Sequence, residues 1–239
     1  MLSHFGFPVA RSGRGRGRPV KQLPSDQRHR PLSVVHHEKS FIVIDKLPDF
    51  LSVPGRGPES QDCVTERVRE LFPHAEGFLA AHRLDMATSG LMVLGLTPQA
   101  HKHLSLQFEK RQVAKKYTAL LEGQIADDSG HIELPFRVDW PNRPKQIHDP
   151  EHGKLGITDW RVLERYPDST RVEFTPRTGR THQLRVHSAH ALGIGHAIIG
   201  DRLYGNPALA DRLMLHSTIL AFHHPEHGER ISFRSPVPF

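Results

Sequence analysis

Cysteine is nearly absent from this 239-residue chain, which holds only Cys63. That excludes an intramolecular disulfide framework and a zinc site built from several thiolates, and it suits a reducing, cytoplasmic address. Long apolar runs are missing too. The longest, Leu91–Leu96 with Gly95 allowed, is about a third of the ~20 residues a membrane span needs. A transmembrane protein is excluded. No apolar secretory core is present either, since the first charges follow the short Phe5–Ala10 stretch instead of preceding it. There is no Gly-x-Ser-x-Gly elbow, and the Gly/Arg run has the wrong spacing for a dinucleotide fingerprint or a phosphate loop. Histidine is abundant at 19 residues, yet pairs such as His36/His37, His101/His103 and His187/His190 lack acids or cysteines at zinc-ligand spacing.

What is present begins with a lopsided charge. Residues 1–30 hold seven basic groups against Asp26, which accounts for the whole formal net charge of +6. The remainder is formally neutral, so any polyanion must be held by a local cationic patch. The segment is dominated by Arg, Gly, Pro and Ser and includes the alternation Gly13–Arg18. Such a composition cannot bury a core, and we expect a disordered basic tail over 1–30 and one folded domain over 31–239. Arg/Gly tails bind RNA without sequence preference.

From residue 31 strand and helix signals mix. Phe41–Ile44 and Leu91–Leu96 read as buried strands, and the spacing of Val64, Val68 and Leu71 predicts a helix over 62–72 that carries Cys63. Thr97-Pro98 opens a second helix in the cap-then-proline order, with Leu104 and Phe108 inward. Strand patterns follow at Tyr117–Leu121, Ile132–Val138, Thr158–Leu163 and Arg171–Thr175, the last two joined by a hairpin turn at Tyr166–Ser169. Thr181–Leu192 reads as a helix ended by Gly193, and Leu213–Phe222 and Arg230–Phe233 close the chain. Strands not regularly interleaved with helices predict an α+β fold, a mixed and largely antiparallel sheet with helices packed on it.

Two segments are densely polar between apolar flanks. In His82-Arg83-Leu84-Asp85-Met86-Ala87-Thr88-Ser89-Gly90, Asp85 falls on a tight connection at a sheet end, where functional groups are often presented. A plain Asp turn capped by Thr88 and Ser89 fits the same pattern. In Arg177-Thr178-Gly179-Arg180-Thr181-His182-Gln183-Leu184-Arg185-Val186-His187, a helix would put His182 and Arg185 on one face. A basic, solvated helix start is the alternative reading.

Together the two segments resemble the RluA family of pseudouridine synthases, whose motifs H-R-L-D-x-x-T-S-G and T-G-R-T/S-H-Q-L-R-V-H they match. Gly200-Asp201-Arg202-Leu203-Tyr204-Gly205 matches a third motif, and Asp45-Lys46, Lys115-Lys116-Tyr117 and Asp139–Gln146 add to it. The stretch Leu192–Ala197 departs from the family pattern, with extra residues and Ala197 where proline is usual. The resemblance implies a catalytic fold with a central cleft, a uridine isomerisation that needs no metal, cofactor or redox step, and catalytic roles for Asp85, Tyr117 and Arg185. It further implies RNA contacts at Arg83, Arg143, Lys145, Arg180 and His182, with Arg83 filling the space of a flipped base. The Trp140–Gln146 run resembles the branch that acts on both tRNA and large-subunit rRNA. A monomer with RNA as partner and no membrane contact is expected. The alternatives are another uridine target within the family, or a non-catalytic RNA-binding module.

Overall fold

The computed structural model describes residues 32–239; the expected tail lies outside the described residues. The chain runs β1 (Ser33–His37), β2 (Phe41–Lys46), α1 (Val64–Leu71), β3 (Ser89–Gly95), α2 (Pro98–Glu109), β4 (Ala114–Glu122), β5 (Ser129–Val138) and β6 (Gln146–His148). It continues through β7 (Lys154–Tyr166), β8 (Ser169–Pro176), α3 (Gln183–Ala189), β9 (Leu215–His223) and β10 (Arg230–Arg234). These strands form one sheet in the order β1-β2-β3-β9-β4-β8-β7-β5-β6, with β10 added to β9. Every pairing is antiparallel except β3 with β9. The expected α+β architecture is what forms.

The two halves of the sheet bury themselves differently. In β2 alternate residues serve two cores. Ile42 and Ile44 meet α1 through Val64 and Val68, while Phe41 and Val43 share a core with Leu104 of α2. A strand covered on both faces carries an unbroken apolar run, which is why β2 and β3 stand out in the sequence. In β8 the pattern alternates instead. Val172 and Phe174 point into a core that Leu184 and Val186 of α3 close, while Glu173 faces outward and binds Lys116 and Arg161, each at 2.8 Å.

The parallel junction fixes the future site. Only Ser89 and Gly90 of β3 pair with β9, opposite His216 and Ser217. Gly90 has φ +110°, and a Cβ there would lie 2.4 Å from the Ser217 carbonyl oxygen. Glycine alone lets the strands approach this closely. Ser217 in turn pairs with Tyr117 of β4, so the connection carrying Asp85 emerges beside that tyrosine.

Several local expectations are corrected. β1 is largely exposed and β6 has three residues, so neither leaves an apolar pattern to read. Cys63 is extended at φ −155° and stands before α1 as its N-cap residue rather than within the helix. The third helix spans 183–189, not 181–192: His182 sits in the left-handed region at φ +57° and the chain is extended again at His190. Gly193 has another task, because a Cβ there would lie 2.0 Å from the His187 carbonyl oxygen as the chain folds back on α3. Thr97 does cap α2, accepting from the Ala100 amide at 3.2 Å, and Phe108 is half-buried against the His82 ring at 4.3 Å.

Candidate active site

One wall of a cleft of about 980 Å³ is the connection before β3. Lys46, at the end of β2, is wholly buried and donates to the carbonyls of Leu47, Phe50 and Met86 at 2.8, 2.7 and 3.0 Å. Burial pulls its pKa down to about 7, while three acceptors favour the ammonium, the only form with three donors. Ser52 Oγ donates to the Leu84 carbonyl at 2.7 Å, the Phe50 amide donates to the Met86 carbonyl at 3.1 Å, and the Thr88 amide closes the turn on the Asp85 carbonyl at 3.0 Å. The backbone on both sides of Asp85 is thereby fixed. Its side chain, 26% exposed, accepts no hydrogen bond among the described residues.

The opposite wall is α3 and the turn that follows it. Arg185 is buried and forks onto Asp201, Nε to Oδ2 at 2.8 Å and Nη2 to Oδ1 at 2.6 Å. Its free Nη1 lies 3.9 Å from Asp85 Oδ2. Burial opposes the guanidinium charge, and Asp201 with Asp85 outweighs it, raising the pKa above the ordinary arginine value. Asp201 has no exposed surface, and its Oδ1 also accepts from the Leu203 and Tyr204 amides at 2.9 and 3.2 Å. The Tyr204 ring lies 5.2 Å from the guanidinium carbon. Its hydroxyl accepts from the Gln146 amide at 2.7 Å, leaving its proton for His182 Nδ1 at 2.9 Å. The last bond agrees with a neutral His182, whose pKa burial lowers.

Tyr117 stands between the walls, hydrogen-bonded to Ser217 and pushed up to about 12 by burial, so it stays a neutral phenol. Behind it runs a buried chain of hydrogen bonds. Arg212 donates to Ser89 Oγ at 2.5 Å, Ser89 Oγ meets His216 Nδ1 at 2.8 Å, His216 Nε2 meets Ser235 Oγ at 2.8 Å, and Ser235 donates to Asp45. It joins the first residue of β3 to β9 and to the closing segment of the chain.

The sequence-predicted residues fall in two groups. Asp85, Tyr117, Arg185, Arg83, Arg180 and His182 all line the cleft, along with Arg111, Lys115 and Arg177. Arg83 is exposed beside Asp85, and His182 is 8% exposed and engaged with Tyr204. Arg143 and Lys145 are not in its wall. They sit on the hairpin between β5 and β6, Arg143 at 4.7 Å from the ring of Trp140 and Lys145 at 5.8 Å from that of Tyr204. The divergent stretch 192–197 is not in the cleft wall either; it folds against α3 and β4, with the His196 amide on the Ser188 carbonyl at 2.8 Å. Sequence reasoning noted the motifs holding Lys46, Asp201 and Tyr204 without giving those residues a task.

A carboxylate faced by a locked guanidinium thus lies in a cleft rimmed by arginines on a mixed sheet, a surface suited to a polyanion. Residues 40–190 match the RNA pseudouridylate synthase family, and the chain belongs to that family. It is 46% identical over 210 residues to the dual-specificity RNA pseudouridine synthase RluA of Yersinia pestis, covering 86% of this chain and 99% of that protein. The RluA of Escherichia coli K12 is 42% identical over 212 residues, covering 87% and 94%. Among solved structures, human RNA pseudouridylate synthase domain containing 1 superposes with a TM-score of 0.71 at 31% identity, over 87% of this chain and 84% of that one.

Proposed function

We propose that this chain converts uridine to pseudouridine in structured RNA, with an anticodon-loop uridine of tRNA and a hairpin-loop uridine of large-subunit rRNA as its targets. The observation that carries the reading is Asp85. The backbone that carries it is fixed, its carboxylate accepts no hydrogen bond among the described residues, and Arg185 faces it at 3.9 Å. Isomerisation breaks the N1–C1′ bond, turns the uracil and joins C5 to C1′; the C5 proton is lost and N1 gains one. Asp85 can drive this by attack on C1′ or by taking the 2′ proton. Both routes require an ionised carboxylate, which a nearby cation favours in a partly dry pocket. Tyr117 packs on the turned base as a neutral phenol.

A stacked uridine cannot enter such a cleft, and extruding it costs a few kcal/mol. Arg83 is placed to fill the vacated space, and Arg180, Arg143 and Lys145 to hold the surrounding strand. His182 serves through Tyr204. The similarity to dual-specificity relatives over most of their length supports the two-substrate assignment, and one fold can serve both RNAs if it reads a common loop shape.

The decisive experiment is Asp85→Asn, which keeps volume and removes charge. Pseudouridine formation in an isolated stem-loop should fall by at least ~10³-fold while RNA affinity stays within a few-fold. Turnover at the unsubstituted rate would refute the role of Asp85. A wild-type protein that modifies one RNA class only would refute dual specificity.

A further inference from the structure

Lys115 and Lys116 are neighbours on β4 with opposite surroundings. The pleat sends successive side chains to opposite faces of a sheet. Lys116 goes outward and donates to Glu173 at 2.8 Å. Lys115 goes with Tyr117 into the cleft, and among the described residues it has neither a hydrogen bond nor an ion pair.

Everything around Lys115 leaves its charge unanswered. Its half-buried position pulls its pKa below the ordinary lysine value, and no carboxylate offsets the effect. Glu109, at the rim of the same cleft, makes no ion pair with it. His82 is neutral, its pKa dropped to about 3 by burial and by Lys115, and its Nε2 accepts from the Val93 amide at 3.1 Å. Gly179, also in the cleft wall, comes close to the ammonium: a Cβ built there would make an ordinary contact with Lys115 Nζ at 3.7 Å. An unpaired, partly desolvated ammonium is costly in the free protein, and an anion arriving in the cleft recovers that cost. Two residues along a strand span about 7 Å, so Lys115 stands one sugar's reach from the position where Tyr117 meets the base.

We propose that Lys115 is the seat of one backbone phosphate of the RNA, at a linkage adjoining the target uridine, and that this contact sets the depth at which the flipped nucleotide enters the cleft. The proposal rests on the reading of the chain as an RNA pseudouridine synthase.

The test uses the full chain and a stem-loop substrate, either unmodified or carrying a neutral methylphosphonate at the linkage 5′ or 3′ to the target uridine. Single-turnover half-saturation is measured as a function of salt for wild type, Lys115→Met and Lys115→Arg. On unmodified RNA, Lys115→Met should raise half-saturation roughly tenfold and flatten the log–log salt slope by about 0.7, the loss of one single-strand phosphate contact. Lys115→Arg should restore the slope. With one of the two modified substrates, wild type and Lys115→Met should coincide, and that same linkage should flatten the wild-type slope on its own. The latter measurement needs no variant, so it stands even if Lys115→Met fails to fold. Equal slopes for wild type and Lys115→Met, or a wild-type slope that neither methylphosphonate changes, would overturn the proposal. Wild type that leaves unmodified RNA unconverted would overturn the reading beneath it as well.

Discussion

The two walls of the cleft each contain a buried cation, and they treat it differently. Lys46, under the Asp85 connection, is surrounded by three backbone carbonyls. Arg185, in the opposite wall, is forked onto a carboxylate that is itself held by two amides. Carbonyls offer dipoles and leave the charge marginal, so burial takes Lys46 down to about 7. A carboxylate secures the charge, and Arg185 goes above its ordinary value. The difference follows the task. Lys46 ties the segment after β2 to the Asp85 connection and has to donate. Arg185 faces the open carboxylate of Asp85 and has to remain charged without closing onto it. Asp201 performs both services by accepting from two of the three guanidinium nitrogens and so fixing the direction of the third.

The sharpest way to break this contrast is Asp201→Asn. The amide keeps an acceptor for the Leu203 and Tyr204 amides but removes the negative charge. Arg185 is then left with Asp85 as its only carboxylate, and we expect it to close onto that group. Turnover should fall by ~10²–10³-fold, with stability reduced by ~3 kcal/mol, as when one member of a buried pair is removed. Asp201 is a positioning residue, so the loss should appear in kcat with KM for RNA nearly unchanged. A rise in KM alone would show that Asp201 merely shapes the RNA surface.

Lys46→Met asks the same question of the other wall. It leaves the carbonyls of Leu47 and Phe50 without the lysine donor, at ~1–3 kcal/mol for each that stays unpaired, and leaves the Met86 carbonyl with the Phe50 amide. Denaturant unfolding should show a loss of at least ~2 kcal/mol. The turn bearing Asp85 loosens, yet Arg185 is untouched, so turnover should drop about tenfold, well short of the Asp201→Asn loss. Equal turnover losses for the two variants would erase the distinction between a cation that holds backbone and one that faces the reaction.

These two cations also show where sequence reading stops. β2 and β3 were legible because burial on both faces writes an unbroken apolar run, and the α2 cap because Thr97 and Pro98 act within one turn. Asp85 and Arg185 could be picked out because each lies in a dense polar pattern, whereas Tyr117 was reached through the family resemblance alone. The partners that position them could not. Met86 lies 40 residues from Lys46, and Asp201 lies 16 from Arg185 across a turn. The early start predicted for α3 failed for a related reason. His182 adopts φ +57° and bonds Tyr204, 22 residues further on, and a left-handed histidine has no signature in helix periodicity.

The smallest expected effect concerns one neutral histidine from each wall, His82 and His187. His82 accepts from the Val93 amide through Nε2, so one of its nitrogens has a partner. His187, wholly buried against the edge of Phe136, has none at either nitrogen among the described residues. Burial lowers their folded pKa values to about 3 and about 4, against ~6.5 in the unfolded chain. Above pH ~6.5 both are neutral in either state and their contribution is fully present. As pH falls from there toward 4, the unfolded chain takes up protons that the native one refuses, and stability is lost. His187→Leu removes one of these titrations and no hydrogen bond. It should be near neutral at pH 7.5 and more stable than wild type by about 2 kcal/mol at pH 5. His82→Leu removes a titration and an acceptor together, so it should cost ~1 kcal/mol at pH 7.5 for the stranded Val93 amide. Urea unfolding at the two pH values separates the cases. Parallel acid arms for wild type and His187→Leu would mean that His187 titrates alike in both states, and that the α3 wall admits water where the structure packs Phe136.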